Sequence, residues 1–128
     1  MNILDVISEI NKKFNEEYSN AGFLKNTKHN ATSFFTTQAC WYYAYILKKL
    51  FPEGEIYLGS KVPHVIFGLG NDFYDVGGYY YFYNENHFYP DKEVIGSAVY
   101  EHPEHRDVMN LCTSIISDIK GKNKRRVR

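Results

Sequence analysis

Two short strand-forming runs, His64-Val65-Ile66-Phe67-Gly68-Leu69 and Asp72-Phe73-Tyr74-Asp75-Val76, are separated only by Gly70-Asn71. A two-residue connection of this chemistry suits a tight hairpin, and a hairpin fixes which residues share a side of the sheet. With Gly70 and Asn71 as the turn, Leu69 faces Asp72, Ile66 faces Asp75 and His64 faces Gly77. His64 and Asp75 then lie diagonally on one side, ~7 to 8 Å apart at the backbone, a gap that their side chains can bridge. A three-residue turn would put them on opposite sides.

The stretch before the hairpin supplies a third reactive residue. Gln38-Ala39-Cys40-Trp41-Tyr42-Tyr43-Ala44-Tyr45-Ile46-Leu47 opens an apolar helix expected from about Thr37 to Phe51, capped by Thr36 or Thr37 and ended by Pro52 and Gly54. Cys40 falls in or near its first turn, where unpaired amides and the positive end of the helix dipole favour a thiolate and can hold an oxyanion. Cys40, His64 and Asp75 are therefore read as nucleophile, base and the group that orients the base. The plainer alternative keeps Cys40 in the core, His64 at a strand end and Asp75 in a turn.

Around this centre, Ile3, Val6, Ile7, Ile10 and Phe14 trace an amphipathic helix from Ile3 to about Asn20 that stops at Gly22. Residues 25–37 are polar and read as a loop. Glu55 to Ser60 is a strand, and Tyr79 to Tyr83, after the break at Gly77-Gly78, is an aromatic run with strand preference. Asn84 to Asp91 reads as loop, and Val94 to Tyr100 as a further short strand. Val108, Leu111, Cys112, Ile115, Ile116 and Ile119 mark a helix from Pro103 to about Lys120. The expected fold is α+β: an antiparallel sheet of four to five strands packed on the cysteine-bearing helix, with N- and C-terminal helices covering the rest.

At 128 residues the chain is read as one domain over residues 1–120 followed by a basic tail, 121–128. Net charge is zero, but six of the fifteen basic residues lie from Lys120 onward, leaving nine against fifteen acidic ones in residues 1–119. A body of net charge −6 disfavours nucleic acid; the tail is solvated or contacts an acidic partner. Two cysteines, Cys40 and Cys112, fit a reducing compartment better than a lone disulfide, and Cys112 sits mid-face on a helix as a core residue. The N-terminus lacks a secretory pattern and no apolar run has the length of a membrane span, so a cytoplasmic protein is expected. His102, His105 and Asp107, with His87 nearby, make a mixed group of metal-capable residues, but no second ligand pair stands at a convincing spacing, and no metal or cofactor is expected.

The order of Ala39-Cys40-Trp41 before an apolar helix, His64-Val65-Ile66-Phe67 on a strand and Phe73-Tyr74-Asp75-Val76-Gly77 on the next resembles the small papain-like and transglutaminase-like cysteine hydrolases, including papain-fold domains of bacteria and phages. The resemblance covers residues 36 to 78. The short interval between Cys40 and His64 is closer to the transglutaminase-like arrangement. It implies thiol-dependent acyl transfer on a peptide or protein substrate, as peptidase, amidase, deamidase or transferase. Papain-type enzymes carry an oxyanion glutamine several positions before the cysteine, whereas Gln38 precedes Cys40 by two, leaving the Cys40 amide as the other donor. Gln38, Trp41 and Tyr79 are the candidates for oxyanion and substrate contacts. A noncatalytic binding or inhibitory protein on the same scaffold is the competing expectation.

Overall fold

The computed structural model of the chain describes residues 2–19, 30–60, 63–81, 88–91 and 100–126. Helix α1, Ile3–Lys13, starts where the Asn2 side chain accepts hydrogen bonds from the Leu4 and Asp5 amides at 2.9 and 3.3 Å. Ile3, Val6, Ile7 and Ile10 are buried on one face, the stripe that their spacing requires. The ladder then widens into one π turn, Phe14–Tyr18, whose Phe14 is wholly buried. The expected stop at Gly22 lies outside the described residues.

The polar stretch read as a loop contains a second helix. Helix α2, Ala31–Thr37, is capped by Asn30, whose side chain accepts from the Ser33 amide at 2.8 Å. Its buried Ala31, Phe34 and Phe35 follow an i, i+3, i+4 pattern. Phe34 stacks on Phe14 at 5.4 Å, and Phe35 meets Phe14 edge-on at 5.1 Å. Burying each ring stabilises the fold by about 1.5–3 kcal/mol, enough to outweigh the weak helix propensity of the threonines.

Helix α3, Cys40–Leu50, is the central element and touches both the sheet and the last helix. Strands β1 (Glu55–Gly59), β2 (Val65–Leu69), β3 (Asp72–Asp75), β4 (Gly78–Tyr79) and β5 (Phe88–Pro90) form one antiparallel sheet in the order β4-β3-β2-β1-β5. Leu58, Val65, Phe67 and Tyr74 join the helices in a continuous core. On the opposite side the Tyr57 and Phe73 rings meet edge-on at 5.4 Å across Gly68, whose missing side chain makes room for them.

Strand β5 replaces part of the loop expected over residues 84–91: Leu58 pairs with Tyr89 and Tyr57 with Pro90. Pro90 is tolerated because β5 is at the edge, where a residue without an N–H costs no central bond. Of the described residues 79–81 in the aromatic run, only Tyr79 is in a strand; residues 82 and 83, like most of the strand expected at 94–100, lie outside the described residues, and Tyr100 is not in a strand. Helix α4, His105–Arg126, runs past the expected end at Lys120 and continues into the basic tail as far as Arg126. Lys122 Nζ reaches Glu9 Oε2 on α1 at 2.7 Å, and lysine and arginine near a helix C-terminus complement its dipole. No helix among the described residues is long and apolar enough to cross a membrane.

Candidate active site

Cys40 is the first residue of α3. Thr37 does not cap that helix, because its hydroxyl donates to the Ser33 carbonyl at 2.7 Å and so closes α2. Ala39 occupies the cap position with no side-chain bond, leaving the first-turn amides of α3 without a side-chain partner. Cys40 is 8% exposed, unlike Cys112, which is wholly buried beneath the Tyr42 carbonyl; both are free thiols. Burial pushes the Cys112 thiol far above its ordinary range and makes it inert.

His64 immediately precedes β2, and its carbonyl accepts from the Gly59 amide at 2.9 Å, which anchors its backbone to β1. The hairpin has the expected register, with Leu69 opposite Asp72 and Phe67 opposite Tyr74. Gly70 takes φ 63°, the left-handed conformation that such a turn requires. His64 Nε2 and Asp75 Oδ2 consequently meet at 3.0 Å. The second carboxylate oxygen of Asp75 accepts from the Gly77 amide at 2.8 Å, so the group is held from two directions. Gly78, at φ 98°, then turns the chain back as β4, a conformation costly for any other residue.

The imidazole is 8% exposed, and its burial alone favours the neutral ring. The hydrogen bond that the ring donates to Asp75 opposes this, and so does the neighbouring Cys40; together they raise His64 to about 9. The structure thus brings Cys40, His64 and Asp75 into one chain of contacts.

Two residues not singled out from sequence complete this arrangement. Asn11 on α1 donates to the Val76 carbonyl at 2.8 Å and accepts the Tyr43 hydroxyl at 2.8 Å, tying α1 and α3 to the end of β3 next to Asp75. Burial, and then the charge of Asp75, holds the Tyr43 phenol well above its ordinary range, so it remains a donor. Tyr80 lays its ring 5.2 Å from that of His64. Parity alone points to Tyr80, because its amide bonds the Phe73 carbonyl and so places it on the Phe73 and Asp75 side.

The three expected substrate contacts are placed differently from one another. Gln38 ends α2, and its Oε1 accepts from His102 Nε2 at 3.3 Å, linking the turn before Cys40 to the start of α4. Trp41 donates from Nε1 to Asp91 Oδ2 at 3.1 Å and stacks on Tyr45 at 5.4 Å, which makes it a brace between α3 and the chain leaving β5. Tyr79, 44% exposed, lies between the Tyr74 and Tyr81 rings, at 5.2 and 6.0 Å, and lines a cavity of about 200 Å³.

His102 and His105 are occupied by fold contacts. His102 Nδ1 accepts from the Glu104 amide at 2.9 Å, and His105 Nδ1 bonds the Tyr42 hydroxyl at 2.8 Å. No group of three or more metal-capable side chains forms among the described residues, and His87 lies outside them.

A family model, the Phage YunG-like protein, matches residues 6–105, and the chain belongs to this family. The match spans α1 through the start of α4, with Cys40, His64 and Asp75 all inside it. No curated protein and no solved structure matches the chain.

Proposed function

We propose that the chain is a thiol-dependent acyl-transfer enzyme built on a papain-like or transglutaminase-like core, with Cys40 as nucleophile, His64 as acid and base, and Asp75 as the group that fixes the imidazole. The observation that carries this reading is the His64 ring, held by Asp75 at one nitrogen and drawn towards its protonated form by Asp75 and by Cys40, the first residue of α3.

The proton of the Cys40 thiol passes to His64, leaving a thiolate beside an imidazolium. The sulfur attacks a substrate carbonyl carbon; a C–S bond forms and the carbonyl π pair moves to oxygen. First-turn amides of α3, that of Cys40 first among them, hold the oxyanion. Collapse breaks the bond to the leaving amine, which takes the proton from His64, and a thioester remains on Cys40. Water then gives a proton to His64 as it attacks, releasing the acid and restoring the thiol. An amine in place of water yields transfer rather than hydrolysis.

The near-complete burial of Cys40 and His64 favours a second reading, a noncatalytic binding or inhibitory protein on the same scaffold. Iodoacetamide at pH 6, with mass spectrometry of the modified residue, separates the two. The enzyme reading expects Cys40 labelling at least about tenfold faster than a free thiol, slowed to or below that rate in His64→Ala. Equally slow labelling in both proteins decides for the binder. A panel of acyl electrophiles then identifies the reaction.

A further inference from the structure

Beside His64 lies a second feature that the acyl-transfer chemistry leaves unused. Asn71, Asp72, Phe73, Tyr79, Tyr80 and Tyr81 line a half-open cleft of about 200 Å³, the size of one long side chain. Tyr80 belongs both to its wall and to the packing of His64, with ring centroids 5.2 Å apart, so an occupant of the cavity sits one residue from the imidazole.

The chemistry of the wall selects the occupant. Tyr79 stacks on the Tyr74 and Tyr81 rings and shares a side-chain hydrogen bond with Tyr74, so it forms a fixed wall. Tyr81 is 82% exposed and keeps an open ring face. Asp72 is exposed, and no cation pairs with it among the described residues. The cavity therefore combines one uncompensated carboxylate, an amide oxygen, phenolic oxygens and an aromatic face, all attractive to a positive donor group.

We infer that this cavity is a substrate subsite for the lysine or arginine side chain of a basic peptide, with Asp72 as its counter-ion and Tyr81 as its stacking surface. The assignment rests on the acyl-transfer reading for its role in the reaction, but binding of the side chain does not require turnover.

Two measurements on the full chain test it. The first titrates N-acetyl-arginine amide, N-acetyl-norleucine amide and maltotriose into Cys40→Ser protein and follows backbone amide resonances. Shifts at residues 71–73 and 79–81 with the arginine compound alone support the subsite; shifts there with maltotriose but not arginine replace it with a glycan site, and none with any ligand overturns it. The second compares Cys40 alkylation by acyl-lysine and acyl-norleucine chloromethyl ketones, in which sulfur displaces chloride. The lysine reagent is expected to react roughly tenfold faster, the ratio falling to about one in Asp72→Asn and returning in Asp72→Glu. A ratio near one in the unaltered protein, or one that persists in Asp72→Asn, overturns the assignment. These ratios decide where Cys40 is alkylated faster than a free thiol; slow alkylation by every reagent removes the enzyme reading, and the resonance shifts alone then decide, arginine-specific shifts supporting the basic-peptide site and their absence overturning it.

Discussion

His64 Nε2 and Asp75 Oδ2 come from different strands yet stand 3.0 Å apart, because the two-residue turn at Gly70-Asn71 sets an even register between β2 and β3. One inserted residue in that turn would move Asp75 to the other side of the sheet. The geometry that matters chemically is therefore written in the turn, which begins six residues after His64 and ends four residues before Asp75.

Replacing the carboxylate by an amide tests this pair directly. Asp75→Asn preserves shape and the acceptor for the Gly77 amide but removes the charge. The His64 ring, followed by its NMR titration, is expected to fall from about 9 towards its ordinary value, since burial is then opposed by Cys40 alone. Cys40 alkylation at pH 6 should slow about tenfold or more. An unshifted titration would show that Asp75 does not hold the ring.

The same pair makes stability depend on pH. Its folded-state value, about 9, lies above the ~6.5 of an unfolded histidine, so the folded form binds the proton more tightly. That contribution is fully present below about pH 6.5 and is lost as pH rises through about 9, with a size of at most about 3 kcal/mol. Urea midpoints at pH 6 and pH 9.5 should differ more for the unaltered chain than for His64→Gln. Equal differences would show that the imidazole contributes nothing in this window.

The hairpin parity and the α1, α3 and α4 faces were legible because each depends on local pattern: turn chemistry for the first, three- and four-residue apolar spacing for the others. Helix α2 was not, since four threonine or serine residues in seven mask Ala31, Phe34 and Phe35, and only the tertiary contact with Phe14 makes the helix worthwhile. Strand β5 is three residues with a proline, below what periodicity can detect, and exists through its pairing with β1. Trp41, a candidate substrate contact by its position after the cysteine, is bonded to Asp91, fifty residues onward, a relationship that no local pattern carries. Likewise Asn11 looks like an ordinary polar position on an amphipathic helix until Val76 and Tyr43 are placed against it.

Asn11 is thus expected to matter more than its surface-like sequence context suggests. Asn11→Ala leaves the Val76 carbonyl and the buried Tyr43 hydroxyl each short of a partner, which should cost about 1–3 kcal/mol by urea denaturation. Asn11→Asp keeps the acceptor for Tyr43 and loses the donor to Val76, and should lie between the two. A loss below 0.5 kcal/mol in Asn11→Ala, on the scale typical of exposed positions, would remove Asn11 from the support of β3.

Gly54, between the end of α3 and the start of β1, offers the sharpest packing test. A Cβ there would run into the Phe67 ring and come within 2.6 Å of the Gly68 carbonyl oxygen. Phe67 is wholly buried in the core and the Gly68 carbonyl belongs to the central strand, so neither can give way without disturbing β2. Gly54→Ala is expected to destabilise the fold by about 1–3 kcal/mol, the usual size of an overpacking penalty. Gly121→Ala is its control: nothing stands within 4 Å of the added methyl, and its position inside α4 favours alanine by roughly 1 kcal/mol. Denaturation midpoints that move in opposite directions for the two substitutions would establish that close approach, rather than glycine content, sets the requirement at position 54; midpoints that move together would contradict it.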